Sequence, residues 1–250
     1  MPIPRSAFIL RPLKDRYPAM TASAFSEGTV AFLDILGFKA LVDAAESDPA
    51  RGPALSDLVR MLDDHVEIEK GRSHPDVSER LKPDWIFISD SLIISSLNDA
   101  GDDRDLAAVM VKTIRIANRL LAMGYLIRGG ISRGPVWRKP ANIFGSAYIQ
   151  AYAQEQTTQW PRIQLSKQAE KVWKNGRMRD YLPVAEDLDV TVVDLFHPYY
   201  STTGTHQEYF ERLGSAIEKN LAALPEWSAP RLKWEWVRDF VRRTRSRHRA

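Results

Sequence analysis

The spacing of hydrophobic positions along this chain changes several times, and each change marks an element. Thr29 to Leu36 (TVAFLDIL) is nearly continuous in β-branched and aromatic residues, which predicts a central strand opened by Gly28 and ended by Gly37. Beyond Gly37 the period lengthens, and Phe38, Leu41, Val42 and Ala45 fall on one face of a helix. Ser47 to Pro53 breaks that helix. Leu55, Leu58, Val59, Leu62 and Val66 then make a second amphipathic helix, followed by a polar linker from Gly71 to Pro75. Trp85 to Ser96 (WIFISDSLIISS) is two strand-like runs around a polar Ser89-Asp90 centre, and predicts a tight hairpin.

Residues 104 to 123 give the clearest helical pattern, with Leu106, Met110, Ile114, Ala117 and Leu121 at helical spacing and Gly124 as the stop. YLIRGGIS reads as a strand interrupted by Gly129 and Gly130, with GPVWRK as a return strand. Asn142 to Phe144 is short and extended, Gly145 begins the helix SAYIQAYAQEQ, and RIQLS reads as a strand. Ser166 caps a helix running through Lys174, and Val190 to Phe196 (VTVVDLF) reads as the last strand. Gln207 to Leu224, and Arg231 onward, are again helical. This order predicts an α+β sheet with helices on one face. It divides the chain into an irregular, proline-punctuated arm (1–26), a body (27–197) and a helical C-terminal extension with a basic tail (198–250).

A composition of 44% hydrophobic and 27% charged residues is that of an ordinary globule. The absence of cysteine excludes disulfides, thiolate metal sites and cysteine nucleophiles. No apolar run approaches the roughly 18–20 residues of a membrane span, and MPIPRSAFIL lacks a signal-peptide core, so a cytoplasmic protein with no membrane partner is expected. The net charge of +3 is unevenly placed: residues 238 to 249 carry six arginines against Asp239, which leaves about −2 elsewhere. The body is therefore not expected to bind nucleic acid, and RRTRSRHRA reads as a solvated end.

Chemistry is suggested by two acids. Asp34 ends the central strand and Asp90 sits in the hairpin turn, so pairing of the hairpin with that strand would bring the two carboxylates to one edge of the sheet. Carboxylates held close repel, and a divalent cation resolves the repulsion. Oxygen ligands without cysteine, and five histidines in no ligand spacing, favour Mg²⁺ or Mn²⁺ over zinc. Such ions often accompany a nucleoside triphosphate. Leu36, Gly37 and Phe38 lead into a helix N-terminus whose amide groups suit phosphate oxygens.

FLDILGF, FISDSLIIS, LIRGGISRG and IFGSAYIQAYAQE, in this order, resemble the catalytic core of class III nucleotidyl cyclases, and most of all the Pycsar anti-phage branch, whose members make cyclic pyrimidine mononucleotides. The resemblance spans Thr29 to Phe196. It implies a ferredoxin-like sheet, a homodimer with sites at the interface, and two metal ions held by Asp34, Asp90 and the backbone carbonyl of Ile35. It further implies conversion of UTP, or alternatively CTP, to the cyclic 3′,5′-monophosphate, and a separate effector that responds to the product.

The departures from the wider class carry information too. Ile86 stands where purine cyclases of the class have a base-reading lysine, and Asn142 where they have its acidic partner, so an adenine-reading pair is missing. Ile149 and Ala153 stand in place of a catalytic Asn and Arg, which leaves Arg128, Arg133 and Lys39 as candidate replacement cations. Tyr148 and Tyr152, four apart on one helix, read as core or dimer packing. A cyclase-like module that senses nucleotide without turnover is the alternative class of function.

Overall fold

The computed structural model describes residues 24–71, 77–98, 100–139, 142–197 and 205–245. Most of the N-terminal arm, most of the Gly71 to Pro75 linker and the last five residues of the basic tail lie outside the described residues. The chain order is β1 (Ser26–Leu36), α1 (Phe38–Ser47), a 3₁₀ turn (Pro49–Arg51), α2 (Gly52–Gly71), β2 (Asp84–Ile88), β3 (Ser91–Leu97), α3 (Arg104–Ala122) and β4 (Leu126–Lys139). It continues with β5 (Asn142–Phe144), α4 (Ser146–Thr157), β6 (Ile163–Leu165), α5 (Lys167–Asn175), β7 (Val184–Asp187), β8 (Val190–Val193), α6 (His206–Ala223) and α7 (Ala229–Arg245).

The strands form one sheet in the order β2-β3-β1-β4-β6-β8-β7, with β5 paired to β4. All neighbours are antiparallel except β4 and β6. β1 is central, as its apolar run predicts, and the β2–β3 hairpin docks along one of its sides. The fold is therefore the expected α+β sheet.

Alternation along β1 sends Ala31, Leu33 and Ile35 to one face, where they join α3 through Leu106, Met110 and Ile114, α6 through Leu213 and Ile217, and α7 through Trp234, Val237 and Phe240. Val30 and Phe32 point to the other face. There a smaller core forms with Ile93, Leu97, Val136 and Ile143 under Ala147 and Ala151 of α4. The large core takes the face expected for the helices, and α4 covers the opposite one. Full burial of each Leu or Ile is worth about 1.5–3 kcal/mol, so the side chains that α6 and α7 contribute anchor the C-terminal extension firmly to the sheet.

Three readings of the sequence change. Gly129 and Gly130 do not interrupt a strand, because β4 runs unbroken for 14 residues and its return strand is β5. The two glycines serve close approach: a Cβ at Gly129 would lie 2.2 Å from the Phe32 carbonyl oxygen, and one at Gly130 would lie 2.3 Å from Gln154 Cβ. The expected last strand is shorter, ending at Val193, and it pairs with β7, which the hydrophobic pattern did not mark. Among the described residues no helix is long and apolar enough to cross a membrane.

Candidate active site

Asp34 lies on the α4 side of the sheet, in register with Ser91 on β3 and Arg128 on β4. The hairpin turn brings Asp90 to the same place, and the Ile35 N–H donates to the Asp90 carbonyl at 3.0 Å, pinning the turn to the end of β1. The turn is tight enough that Ser89 takes φ 58°, a conformation side chains other than glycine adopt at a cost. Asp90 acts on Asp34 both as a like charge and as a hydrogen-bond partner. The structure thus brings together the two acids that the sequence singled out.

Arg128 reaches into this pair. Its Nε donates to Asp34 Oδ2 at 2.8 Å, and its Nη1 donates to the Thr158 carbonyl at 3.1 Å. The same Nε lies 2.8 Å from Oε1 of Glu155, a carboxylate that is 1% exposed on the buried side of α4. Glu155 also accepts a hydrogen bond from Gln156. One guanidinium therefore serves Asp34 and Glu155, with the charge of Asp90 close by.

That balance leaves the acids short of positive charge. Burial pushes the Asp34 carboxyl above its usual range and Asp90 adds to the push, while Arg128 opposes it without winning. Glu155 is pushed up in the same way: burial is the largest cause, Asp34 and Asp90 contribute, and Arg128 and Gln156 oppose. Among the described residues, no three Asp, Glu, His or Cys groups are arranged to enclose an ion by themselves. A Mg²⁺-type ion rarely needs such a cage, since it is commonly held by one or two carboxylates and completed by water and substrate phosphates. Two hard, charge-starved carboxylates at a half-open strand end fit that requirement.

Gly37 is the N-cap of α1 with φ 85°, and a Cβ there would meet nothing within 4 Å, so glycine is needed for its backbone conformation. The first turn of α1 has no side-chain cap and no acid, and Leu36, Gly37 and Phe38 follow Asp34 directly. Asn142 sits elsewhere. It pairs with Lys139 at the far end of β4, eleven residues from Arg128, or about 36 Å of strand. Lys39 is exposed and paired with Asp43 at 2.5 Å. Arg133 points to the other face of the sheet, where it binds the buried Asp105 at 2.9 Å. Ile149 and Ala153 face outward from α4. Tyr148 and Tyr152 pack edge-on against Phe32, with centroids 5.9 and 5.1 Å away.

Two residues near the cluster escaped the sequence reading. Glu155 follows Ala147 and Ala151 at four-residue spacing and completes the buried stripe of α4, a signal that was available. Lys233 comes from α7, close enough to Arg128 and Asp34 for both charges to act on its ammonium. Nothing local in the sequence marks it.

No family model matches the chain, and no curated protein matches it. Among solved structures it is similar to the catalytic core of a rhodopsin-guanylyl cyclase with converted specificity in complex with ATPalphaS, at 17% identity and a TM-score of 0.44, over 68% of this chain and 96% of that one. It is also similar to a class III adenylyl cyclase-like ATP-binding protein from Pseudomonas aeruginosa, at 15% identity and a TM-score of 0.40, over 76% of this chain. The match spans 40% of the length of that second protein.

Proposed function

We propose that the protein is a nucleotidyl cyclase that converts UTP to cyclic 3′,5′-UMP and pyrophosphate, as a homodimer, with the product acting on a separate effector in anti-phage defence. The observation that carries the reading is the convergence of Asp34 and Asp90, pinned by the bond from the Ile35 amide to the Asp90 carbonyl, in a cluster short of positive charge. Asp34, Asp90 and the Ile35 carbonyl would hold Mg²⁺ or Mn²⁺, which supplies the positive charge that activates the ribose 3′-hydroxyl and offsets the triphosphate.

In the reaction the 3′-oxygen bonds to the α-phosphorus and the bond to the α,β-bridging oxygen breaks. Pyrophosphate leaves with the electron pair, and the hydroxyl proton is released. The chain's own part is positioning. The uncapped first turn of α1 at Gly37 offers amide donors to the phosphates, and Glu155 keeps Arg128 in place when Asp34 is otherwise engaged.

A second copy fits the layout. Asn142 is remote from Asp34 within one chain, and two-fold pairing is the commonest way to join remote halves of a site. Ile88, Ile149 and Tyr152 are 60%, 64% and 44% exposed on the α4 side of the sheet, apolar surface suited to such an interface. On this reading Asn142 of one protomer reads uracil in the site of the other. Its amide donates to a ring carbonyl and accepts from the ring N–H, and Ile86 offers no polar group to a purine edge. CTP is the second choice, since the amide can flip.

The outward Ile149 and Ala153 favour one other reading, a domain that binds nucleotide without turning it over. Incubation with an equimolar mixture of the four nucleoside triphosphates and Mn²⁺, with separation of products, tests both. Cyclic UMP as the main product supports the proposal, and cyclic CMP moves the base choice. Cyclic AMP or GMP in excess contradicts the pyrimidine reading, and binding without any cyclic product establishes the sensing module.

A further inference from the structure

We propose that Lys233, on the C-terminal helix, is a phosphate-binding residue of the candidate active site, which it reaches from outside the strands that carry the acids. The inference rests on the nucleotidyl cyclase reading and names the cation which that reading lacks.

The outer surface of α4 offers none, since Ile149 and Ala153 are neutral. The three cations that the sequence suggested are all committed. Lys39 is solvent-exposed and paired with Asp43, Arg133 is bound to Asp105 on the opposite face, and Arg128 is shared by Asp34 and Glu155. Lys233 is half-buried, and among the described residues no carboxylate lies within ion-pair distance of it. Burial and the neighbouring Arg128 push its ammonium below the usual lysine range, and Asp34 opposes them. A half-buried ammonium beside a guanidinium gains most from an arriving polyanion.

The placement is built in. Trp236, one turn along α7 from Lys233, stacks on Trp160 at 6.5 Å and an interplanar angle of 16°. Trp160 belongs to the loop whose Thr158 carbonyl holds Arg128. The helix is fixed by its buried Trp234, Val237 and Phe240, and by the 3.0 Å contact from Arg243 to the buried Asp187. A lysine there supplies a compact charge with three donors on a flexible stem, suited to a triphosphate chain rather than to a planar group.

The test compares wild type, Lys233→Met, Lys233→Arg and the neighbouring control Leu232→Ala. Methionine keeps the aliphatic stem, so packing is retained while the charge is lost. Calorimetric titration with inorganic triphosphate and Mn²⁺ reads binding without turnover, and initial rates on UTP read kcat and KM. The expected result is a loss of triphosphate affinity in Lys233→Met of about 10- to 100-fold, the range of a hydrogen bond to a charged group. A matching loss in kcat/KM, substantial recovery in Lys233→Arg and no change in Leu232→Ala complete the expectation. Wild-type triphosphate affinity in Lys233→Met, or faster turnover, would overturn the proposal. Failure of the cyclase reading looks different: wild-type protein would bind triphosphate through Lys233 yet form no cyclic product.

Discussion

Arg128 and Arg133 lie five residues apart on the same strand, point to opposite faces of the sheet, and each meets a buried or half-buried aspartate. At Arg133 the charges close. Asp105 is fully buried and accepts from Arg133 Nε at 2.9 Å, Thr29 Oγ1 at 2.7 Å and Asn98 Nδ2 at 3.3 Å, and the other end of the guanidinium donates to the Asp102 carbonyl. At Arg128 they do not close: one guanidinium faces Asp34 and Glu155, both pushed toward protonation by burial, with Asp90 adding to the push. A buried polar network that satisfies every member secures the fold. One that leaves acids short of charge costs stability, and such sites are where function is to be sought.

The largest effects are expected at the acids themselves. Asp34→Ala or Asp90→Ala is expected to lower turnover on the order of a thousandfold or more, with an unchanged circular dichroism spectrum. Near-wild-type rates with unchanged metal dependence in either variant would remove the site. Asp105→Ala should act on the other quantity. It leaves Arg133 buried without its counter-charge, and urea denaturation should show a loss of about 3–5 kcal/mol while activity per folded molecule is kept.

Asp34→Asn sharpens the contrast through its sign. A carboxyl whose pKa is raised on folding helps the fold while it is protonated. Its contribution falls as pH rises from the ordinary carboxylate range through the raised value, so at neutral pH the ionised Asp34 is a net cost. Without metal, the asparagine variant should therefore be more stable than wild type at pH 7 by about 0.5–2 kcal/mol, and the gain should shrink toward acidic pH. A variant less stable than wild type throughout would show that the Arg128 pair outweighs the cost of burial. The smallest effect belongs to the turn that carries Asp90. Ser89→Gly relieves the positive φ and should change urea stability by only about 0.5–1 kcal/mol in the stabilising direction, with little effect on rate.

The acids were legible because a charge breaks an apolar run in each case, and the hairpin because a polar pair separates two strand-like runs. Elements that depend on contacts distant in sequence were not. The glycine pair in β4 looks like a break from its local propensity, yet it answers to the Phe32 carbonyl and Gln154 across two different packing partners. The β7–β8 turn places Leu188 and Asp189 at φ 49° and 64°, and leucine in the first of these positions masks the turn signal that Asp189 alone would give. Glu155 could have been read from the stripe it completes on α4. Lys233 reaches the cluster only through the docking of α7, which no spacing near it encodes.

The charge-starved cluster at Asp34 is the centre of this account, and manganese anomalous scattering tests it most directly. Crystals grown with Mn²⁺ and 3′-deoxy-UTP, which lacks the attacking hydroxyl, are expected to show anomalous peaks at the carboxylates of Asp34 and Asp90, with the triphosphate beside them and Asp105 free of metal. Manganese bound elsewhere, or triphosphate density with no anomalous signal at Asp34 and Asp90, would contradict it.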